Sequence, residues 1–350
     1  MNIWLRSYIL KSSGSIAGER HTPSCNMTVI SLLFCLLVLL AALSIRLGSS
    51  KLSTEEIIRA LINTGDTSNS YRIIKYVRIP RTSASVLAGT ALSISGLILQ
   101  TVLNNYLAGP NVIGVNAGSG LFVVLVSAFF PSYYFLAPLA AFFGALIAVL
   151  FVYFISLKTG ASRMTIVLSG IAVSSFIGSI TDTVLTLVPE ASISRTSFMI
   201  GGFSGVTSDK LSIAAFFIFA GFLVSMLLSG HMNVLSLGDE TAKSLGLNVE
   251  FYRFVFLSLA ALLCGSAISF SGLLGFIGLI VPHAARFLVG YDNRFLIAAS
   301  ALLGSCFTVF CDILSRVLFA PFEIPVGIIM SFLGGPFFIY LLMKKRRSML

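Results

Sequence analysis

The residues of this chain that could do chemistry are few and far apart. Asp182, Asp312 and Arg316 are ionisable groups that fall inside long apolar segments, and His283 and Arg286 stand near the end of another. Charge within hydrocarbon is costly and marks function by default. Asp312 and Arg316 are four residues apart, so on a helix they share a face and can pair. Three such groups are too few for a proton relay or a coupled-ion site, which need polar groups gathered at mid-membrane. His21, His231 and His283 are scattered and give no metal-ligand constellation. The cysteines at 25, 35, 264, 306 and 311 form no C-x-x-C pair, and four of them lie in apolar runs, where cysteine behaves as a small buried hydrophobe. The chain has no G-x-x-x-x-G-K-[ST], H-E-x-x-H or G-x-S-x-G motif. Any step that consumes energy must therefore draw on another molecule.

A second group of polar residues stands together in HMNVLSLGDETAKSLGLNVE, residues 231–250. The pattern predicts a short helix. Ser236 is placed to cap it, with Asp239 three residues on as a weak capping box. Asp239 and Glu240 fall in the first turn, where the helix dipole favours anions. Asp239 and Lys243 are spaced to pair, and Gly246 is the expected stop. Such a helix is about 14 Å long, too short and too polar to lie within a bilayer. It reads as a handle for something outside the membrane, the alternative being a solvated loop.

The elements that must position these residues are apolar. The chain is 57% hydrophobic and 10% charged, with a mean hydropathy of +0.98, against about 25% charged in soluble domains. It is expected to be an all-α polytopic membrane protein. The net charge of +10 could point to nucleic acid, but the basic residues sit at segment ends and in loops, as in a protein held in a bilayer. Residues 1–27 form a mixed polar extension, and Met27 could itself serve as a start. Ten spans of bilayer length follow, at about 28–45, 82–103, 112–130, 133–157, 164–188, 211–229, 254–270, 273–290, 295–318 and 324–343. The first is too long for a signal peptide and lacks a clear cleavage site. An even count puts both termini on one side, and Lys344, Lys345, Arg346 and Arg347 mark that side as cytoplasmic. The loop 231–250 then lies in the cytoplasm. The loop 46–81 is anomalous, because it places Arg46, Lys51, Arg59, Arg72, Lys75, Arg78 and Arg81 outside. In span two, Gly89 with Ser93 and Ala91 with Ser95 form small-xxx-small faces suited to close helix contact. The uncharged, turn-rich loop 104–114 and the Gly-rich stretch MIGGFSGV at 199–206 interrupt the spans. Irregular backbone at membrane depth is tolerated only beside protein or a cavity, so 199–206 is a candidate pathway lining.

Three blocks together resemble the FecCD/BtuC-like permeases of bacterial ABC importers for iron-siderophores, vitamin B12 and haem. They are RIPRTSASVLAGTALSISGLILQTVLNNYLAGPNVIGVNAGSG (78–120), LSLGDETAKSLGLNV (235–249), and SGLLGFIGLIVPHAARFLVGYDNR with PFEIPVGIIMSFLGGPFFIYLL between 271 and 342. The resemblance covers about 28–347. It implies a type II ABC importer permease fold of ten spans, two permease subunits around one pathway, an ABC ATPase dimer below and a solute-binding protein (a lipoprotein or periplasmic) outside. It implies no cofactor in this chain, with ATP-Mg bound on the partner ATPase, and no metal ligands, since iron would arrive chelated. The loop between spans six and seven becomes the ATPase-coupling element, through Leu237, Gly238, Asp239, Glu240, Ala242, Lys243, Leu245 and Gly246. Arg78 and Arg81 of the RxPR motif and Arg316 near the outer end of span nine become binding-protein docking residues. Gly201, Gly202, Ser204 and Gly205 match a short outer helix beside the pathway and become gate candidates, with Asn105 and Pro110 of the inner turn. That turn reads Asn-Tyr-Leu-Ala-Gly-Pro here, with Tyr106 where many members have proline. The function implied is translocation of a metal chelate, foremost a ferric siderophore, across the bacterial cytoplasmic membrane, with vitamin B12 or haem as alternatives. From outside the family, an ion-coupled secondary transporter is the rival; it would rest on Asp182 and Asp312 alone.

Overall fold

A computed structural model of the chain describes residues 23–48, 52–62, 68–159 and 162–347. Among these described residues fourteen α-helices follow in order. They are α1 (Pro23–Arg46), α2 (Thr54–Ile62), α3 (Asn69–Val102), α4 (Val115–Phe129), α5 (Ala137–Lys158), α6 (Arg163–Leu187) and α7 (Ala191–Ile200). Then come α8 (Ser208–Leu227), α9 (Ser229–Ser236), α10 (Asp239–Ser244), α11 (Val249–Ser271), α12 (Ile277–Val289), α13 (Asn293–Val317) and α14 (Val326–Arg347). No strand occurs among the described residues.

Each of the ten expected spans is a helix. Six of them, α1, α3, α5, α6, α11 and α13, are long and apolar enough to cross a bilayer. A seventh is α8 with α9, bent by 60° at the junction. The apolar helices Val115–Phe129, Ile277–Val289 and Val326–Tyr340 are shorter. The expected polar extension lies outside the described residues up to 22, and its last part belongs to α1, which begins at Pro23 rather than at 28.

The segment 46–81 is not the long loop its polarity predicts. Ser53 and Glu56 cap α2 reciprocally: the Ser53 backbone N–H donates to Glu56 Oε2 (2.8 Å) and the Glu56 N–H to Ser53 Oγ (3.2 Å). This is a complete capping box. The hydrogen bond from the Ser53 backbone is the first cause holding the Glu56 carboxyl below its ordinary range. From Asn69 the chain is already helical, and a π-helical turn at Ile74–Arg78 carries it into span two. Arg78 and Arg81 therefore project from a helix, not from a loop end.

Helix α3 is the axis of the bundle. Its most apolar window is 78% buried, against 11% for α1, which exposes Leu32, Phe34, Val38 and Leu39 as a face suited to lipid. Small residues make the central position possible. Ser95 Oγ donates to the Ala260 carbonyl of α11 at 2.8 Å. A Cβ at Gly89 would stand 2.4 Å from the Gly304 oxygen of α13, and one at Gly96 only 2.0 Å from the Gly278 oxygen of α12. Backbones this close exclude any side chain, the usual device for helix association where lipid is as apolar as the protein.

Candidate functional site

At one end of the bundle, α9 and α10 form the expected polar handle, in two pieces. The cap is not Ser236, whose hydroxyl donates back to the Asn233 carbonyl (2.7 Å). Gly238, at φ +108°, starts α10 instead, a backbone state that side chains disfavour. The stop falls at Gly246 (φ +83°), as expected. Its N–H donates to the Lys243 carbonyl (2.9 Å) and the Leu247 N–H to the Ala242 carbonyl (3.0 Å), the paired bonds of a Schellman motif. Ala242 is wholly buried, while Glu240, Lys243 and Leu245 are exposed, so α10 presents one face outward. Leu237 (60% exposed) and Leu245 (62%) flank that face with apolar surface.

Asp239 neither caps α10 nor pairs with Lys243. Its Oδ1 accepts from Arg163 Nη2 (2.8 Å) at the start of α6, and its Oδ2 from Arg253 Nη2 (2.7 Å) near the start of α11. Asn233 makes a second tie. Its side-chain oxygen accepts from the N–H and side-chain amide of Asn293 (2.9 and 2.8 Å), and its amide donates to Asp292, the cap of α13. His231 stacks on Tyr252 of α11 at 4.4 Å. The handle is thus fixed to α6, α11 and α13. Sequence reasoning missed Arg163, Arg253, Asn233, Asn293 and Tyr252. The available signal was an arginine at the start of each of two spans, which reads as an ordinary loop charge.

At the other end lies the Gly-rich run. The short helix expected at Gly201–Gly205 lies instead just before that run, as α7, ending at Ile200; Gly201 to Gly205 form its irregular exit, because Gly201 and Gly205 take positive φ. Gly201 has φ +69°, and a Cβ on it would meet the Leu273 oxygen at 2.2 Å. The run is laced to its neighbours through backbone. Gly202 N–H donates to the Ser271 carbonyl at the end of α11 (2.7 Å), and Leu273 N–H to the Phe198 carbonyl of α7 (2.9 Å). Gly201, Gly202, Ser204 and Gly205 line a cavity of about 450 Å³ with Arg81 and Glu323 on its wall. Pro110 lines a second cavity, of about 210 Å³, and Ile268 borders both. Asn105 is not in that lining; its side-chain oxygen accepts from the Leu107 N–H (3.0 Å) in a local turn.

The three expected docking arginines do not present their charge outward. Arg78, Arg81 and Arg316 are 3%, 7% and 2% exposed. Arg78 Nη1 donates to the Ile45 and Arg46 carbonyls (2.6 and 2.9 Å), closing the end of α1. Asp312, wholly buried, takes Arg81 Nε on Oδ1 (2.9 Å) and Arg316 Nη2 on Oδ2 (3.0 Å). Arg81 also reaches Glu323 Oε2 (2.6 Å), and Arg316 reaches Ser44 and the Leu47 carbonyl on α1 and just beyond it. This cluster ties α1, α3 and α13 together. A charge cannot stay buried without partners, and here the partners are internal. Among the described residues, the cations exposed on the same flank include Arg46, Arg59, Arg72 and Lys75. Asp182, the other ionisable group expected at depth, is 69% exposed near the end of α6 and pairs with Arg195 of α7 (3.1 Å). Neither aspartate is an empty coupling site. Among the described residues no three His, Cys, Asp or Glu gather to hold a metal.

The arrangement so far is a helical bundle with a rigid polar handle at one end and a glycine-laced cavity at the other. Residues 36–344 match the family model of the FecCD transport family. The chain belongs to that family. It is 34% identical over 331 residues to the Fe(3+)-citrate import system permease protein YfmD of Bacillus subtilis (94% of this chain, 98% of the relative). It is 36% identical over 318 residues to the iron(3+)-hydroxamate import system permease protein FhuB of the same organism (90% and 83%). It is 33% identical over 329 residues to the hemin transport system permease protein HmuU of Yersinia pestis (91% and 96%). Its fold is similar to that of a metal-chelate type ABC transporter solved in an inward-facing conformation, with a TM-score of 0.80 at 26% identity, covering 91% of this chain and 99% of the other.

Proposed function

We propose that this chain is the membrane-spanning subunit of an ATP-driven importer in the bacterial cytoplasmic membrane, and that its cargo is a ferric chelate, foremost a ferric siderophore. The observation that carries the reading is the α9–α10 handle. It is a capped, outward-facing helix flanked by Leu237 and Leu245, fixed to three spans, on a chain that has no nucleotide-binding motif of its own. Exposed leucines beside charged residues fit a protein–protein contact with an apolar centre and a polar rim. An ATPase dimer docks there, bringing ATP-Mg, and the end with the Gly201–Gly205 run faces the outside. A second permease copy or a sister permease completes the pathway. A solute-binding protein delivers the cargo to the outer flank, where Arg59, Arg72 and Lys75 offer accessible charge and steer its approach. The cavity wall there mixes apolar residues and glycines with Ser197, Ser204, Ser269, Ser271 and one ion pair, Arg81–Glu323, in which both charges are already paired, which suits brief contact with a bulky chelate rather than tight binding. The relatives named for iron citrate, iron hydroxamate and hemin support an iron chelate over vitamin B12. The test is uptake in a deletion strain and its complemented parent, offered labelled ferric siderophores, ferric citrate, haem and cobalamin. Loss of one ferric chelate alone is expected; loss of cobalamin alone would overturn the cargo assignment.

A further inference from the structure

We infer that Asp239 is the relay through which the handle moves the gate, because its carboxylate joins α11, whose last carbonyl holds the Gly-rich run, to α6, which leads through α7 into that run. The inference rests on the reading of α10 as the ATPase contact. Helix α6 begins at Arg163 and α11 at Val249, with Arg253 in its second turn. One oxygen of Asp239 takes each arginine, at 2.8 and 2.7 Å. Both helices then run roughly 35 Å, at 1.5 Å per residue, to the opposite end. There α6 leads into α7, to which it is also pinned by the Asp182–Arg195 pair, and α7 ends on Gly201. Helix α11 ends on Ser271, whose carbonyl accepts from Gly202. The two struts are joined directly at Asp239; at the far end Gly202 is held by the last carbonyl of α11, and α6 reaches Gly201 through α7. A displacement of α10 is delivered to both struts at once, and the gate backbone runs from the end of α7 to its bond with the end of α11.

The chemistry at the near end suits the task. Arg253 has a side chain only 3% exposed, and a buried guanidinium needs its counter-charge. Charge-assisted bonds of this length are about twice as strong as neutral ones. Asp239 itself is one-third exposed and sits at the first position of α10, so it moves with the docking helix. Coupling between distant sites is carried by ion pairs, hydrogen bonds and rigid helices that touch in series, and these contacts form such a series. Asp239 is a positioning residue, and it need not touch the ATPase or the cargo.

The test uses the full complex with ATPase and binding protein in proteoliposomes. The exposed Cys25 and Cys35 are replaced by serine and the exposed Ser204 by cysteine. A membrane-impermeant maleimide applied from outside then reads gate accessibility with and without a non-hydrolysable ATP analogue. The readout is the ratio of the two labelling rates, which loss of folded protein leaves unchanged. The parent ratio departs from one. With Asp239→Asn or Arg163→Gln it falls to about one, the value for zero coupling free energy, and Asp239→Glu restores part of it. Parent-like ratios in both Asp239→Asn and Arg163→Gln would overturn the relay. If Asp239→Asn does not assemble, Arg163→Gln decides alone, because Arg163 lies on α6 and off the outward face of α10. A parent complex with no ATP dependence would instead remove the ATPase reading, and the relay with it.

Discussion

Asp312→Asn removes the carboxylate that two buried arginines share, at nearly constant volume. Arg81 Nε and Arg316 Nη2 each stand about 3 Å from its oxygens, so they are at most about 8 Å apart. Two unit charges at that separation repel by ~2 kcal/mol at an effective dielectric of 20. Loss of the counter-charge adds to this, and breaking a buried pair by removing one partner costs ~3–5 kcal/mol in total. Glu323 still neutralises part of Arg81, which keeps the estimate within that range. With about 2.1 cal/mol/K of unfolding entropy per residue, a chain of this length shifts by about 4–7 °C for that loss. Thermal unfolding of the detergent-solubilised protein, followed by size-exclusion, measures it. Asp182→Asn is the control. Its pair with Arg195 is exposed, is worth ~0.2–1 kcal/mol, and predicts a shift of about 1 °C or less. Equal shifts for the two variants would refute the reading of Asp312 as the charge that holds α1, α3 and α13 together.

Gly96→Ala drives a Cβ to 2.0 Å from the Gly278 oxygen and is expected to cost ~1–3 kcal/mol or more. Gly120→Ala meets nothing within 4 Å and is expected to be neutral or stabilising by up to ~1 kcal/mol; equal melting of the two would contradict the packing account. Leu237→Asp with Leu245→Asp is expected to lower ATPase affinity by at least ~30-fold, the effect of losing an interface anchor worth ~2 kcal/mol, read by co-purification; full recovery of ATPase would count against the contact. The Glu56 carboxyl is held low in the folded state, so its support of α2 is present above its unfolded pKa and lost as pH falls through the folded value. Amide exchange at the start of α2 should therefore speed up in acid relative to the intrinsic rate, and Glu56→Gln should abolish that pH dependence.

The fold was legible where local physics decides it. The ten apolar segments, the small-residue faces of span two and the Gly246 stop are nearest-neighbour or periodic features, and the helices follow them. Helix α2 was legible too, through Ser53 and Glu56, but the polarity of 46–81 hid it. The candidate site was harder to read because its contacts are long-range. Asp239 finds Arg163, 76 positions away, and Arg81 finds Asp312, 231 away. Nothing local separates an arginine that will face a partner from one that will be buried against an aspartate. Arg316 shows this most plainly. Its four-residue spacing from Asp312 predicted their pairing, and the family resemblance predicted outward docking; burial in this conformation favours the pairing.

The central claim is that the chain moves cargo with energy taken from another protein through the α9–α10 handle. Uptake of ferric chelate into proteoliposomes containing this chain, with and without its ATPase and binding protein, tests it most directly. The account predicts concentrative uptake when both partners and Mg-ATP are present, and none from the chain alone under a proton or sodium gradient. Concentrative uptake by the chain alone would contradict it.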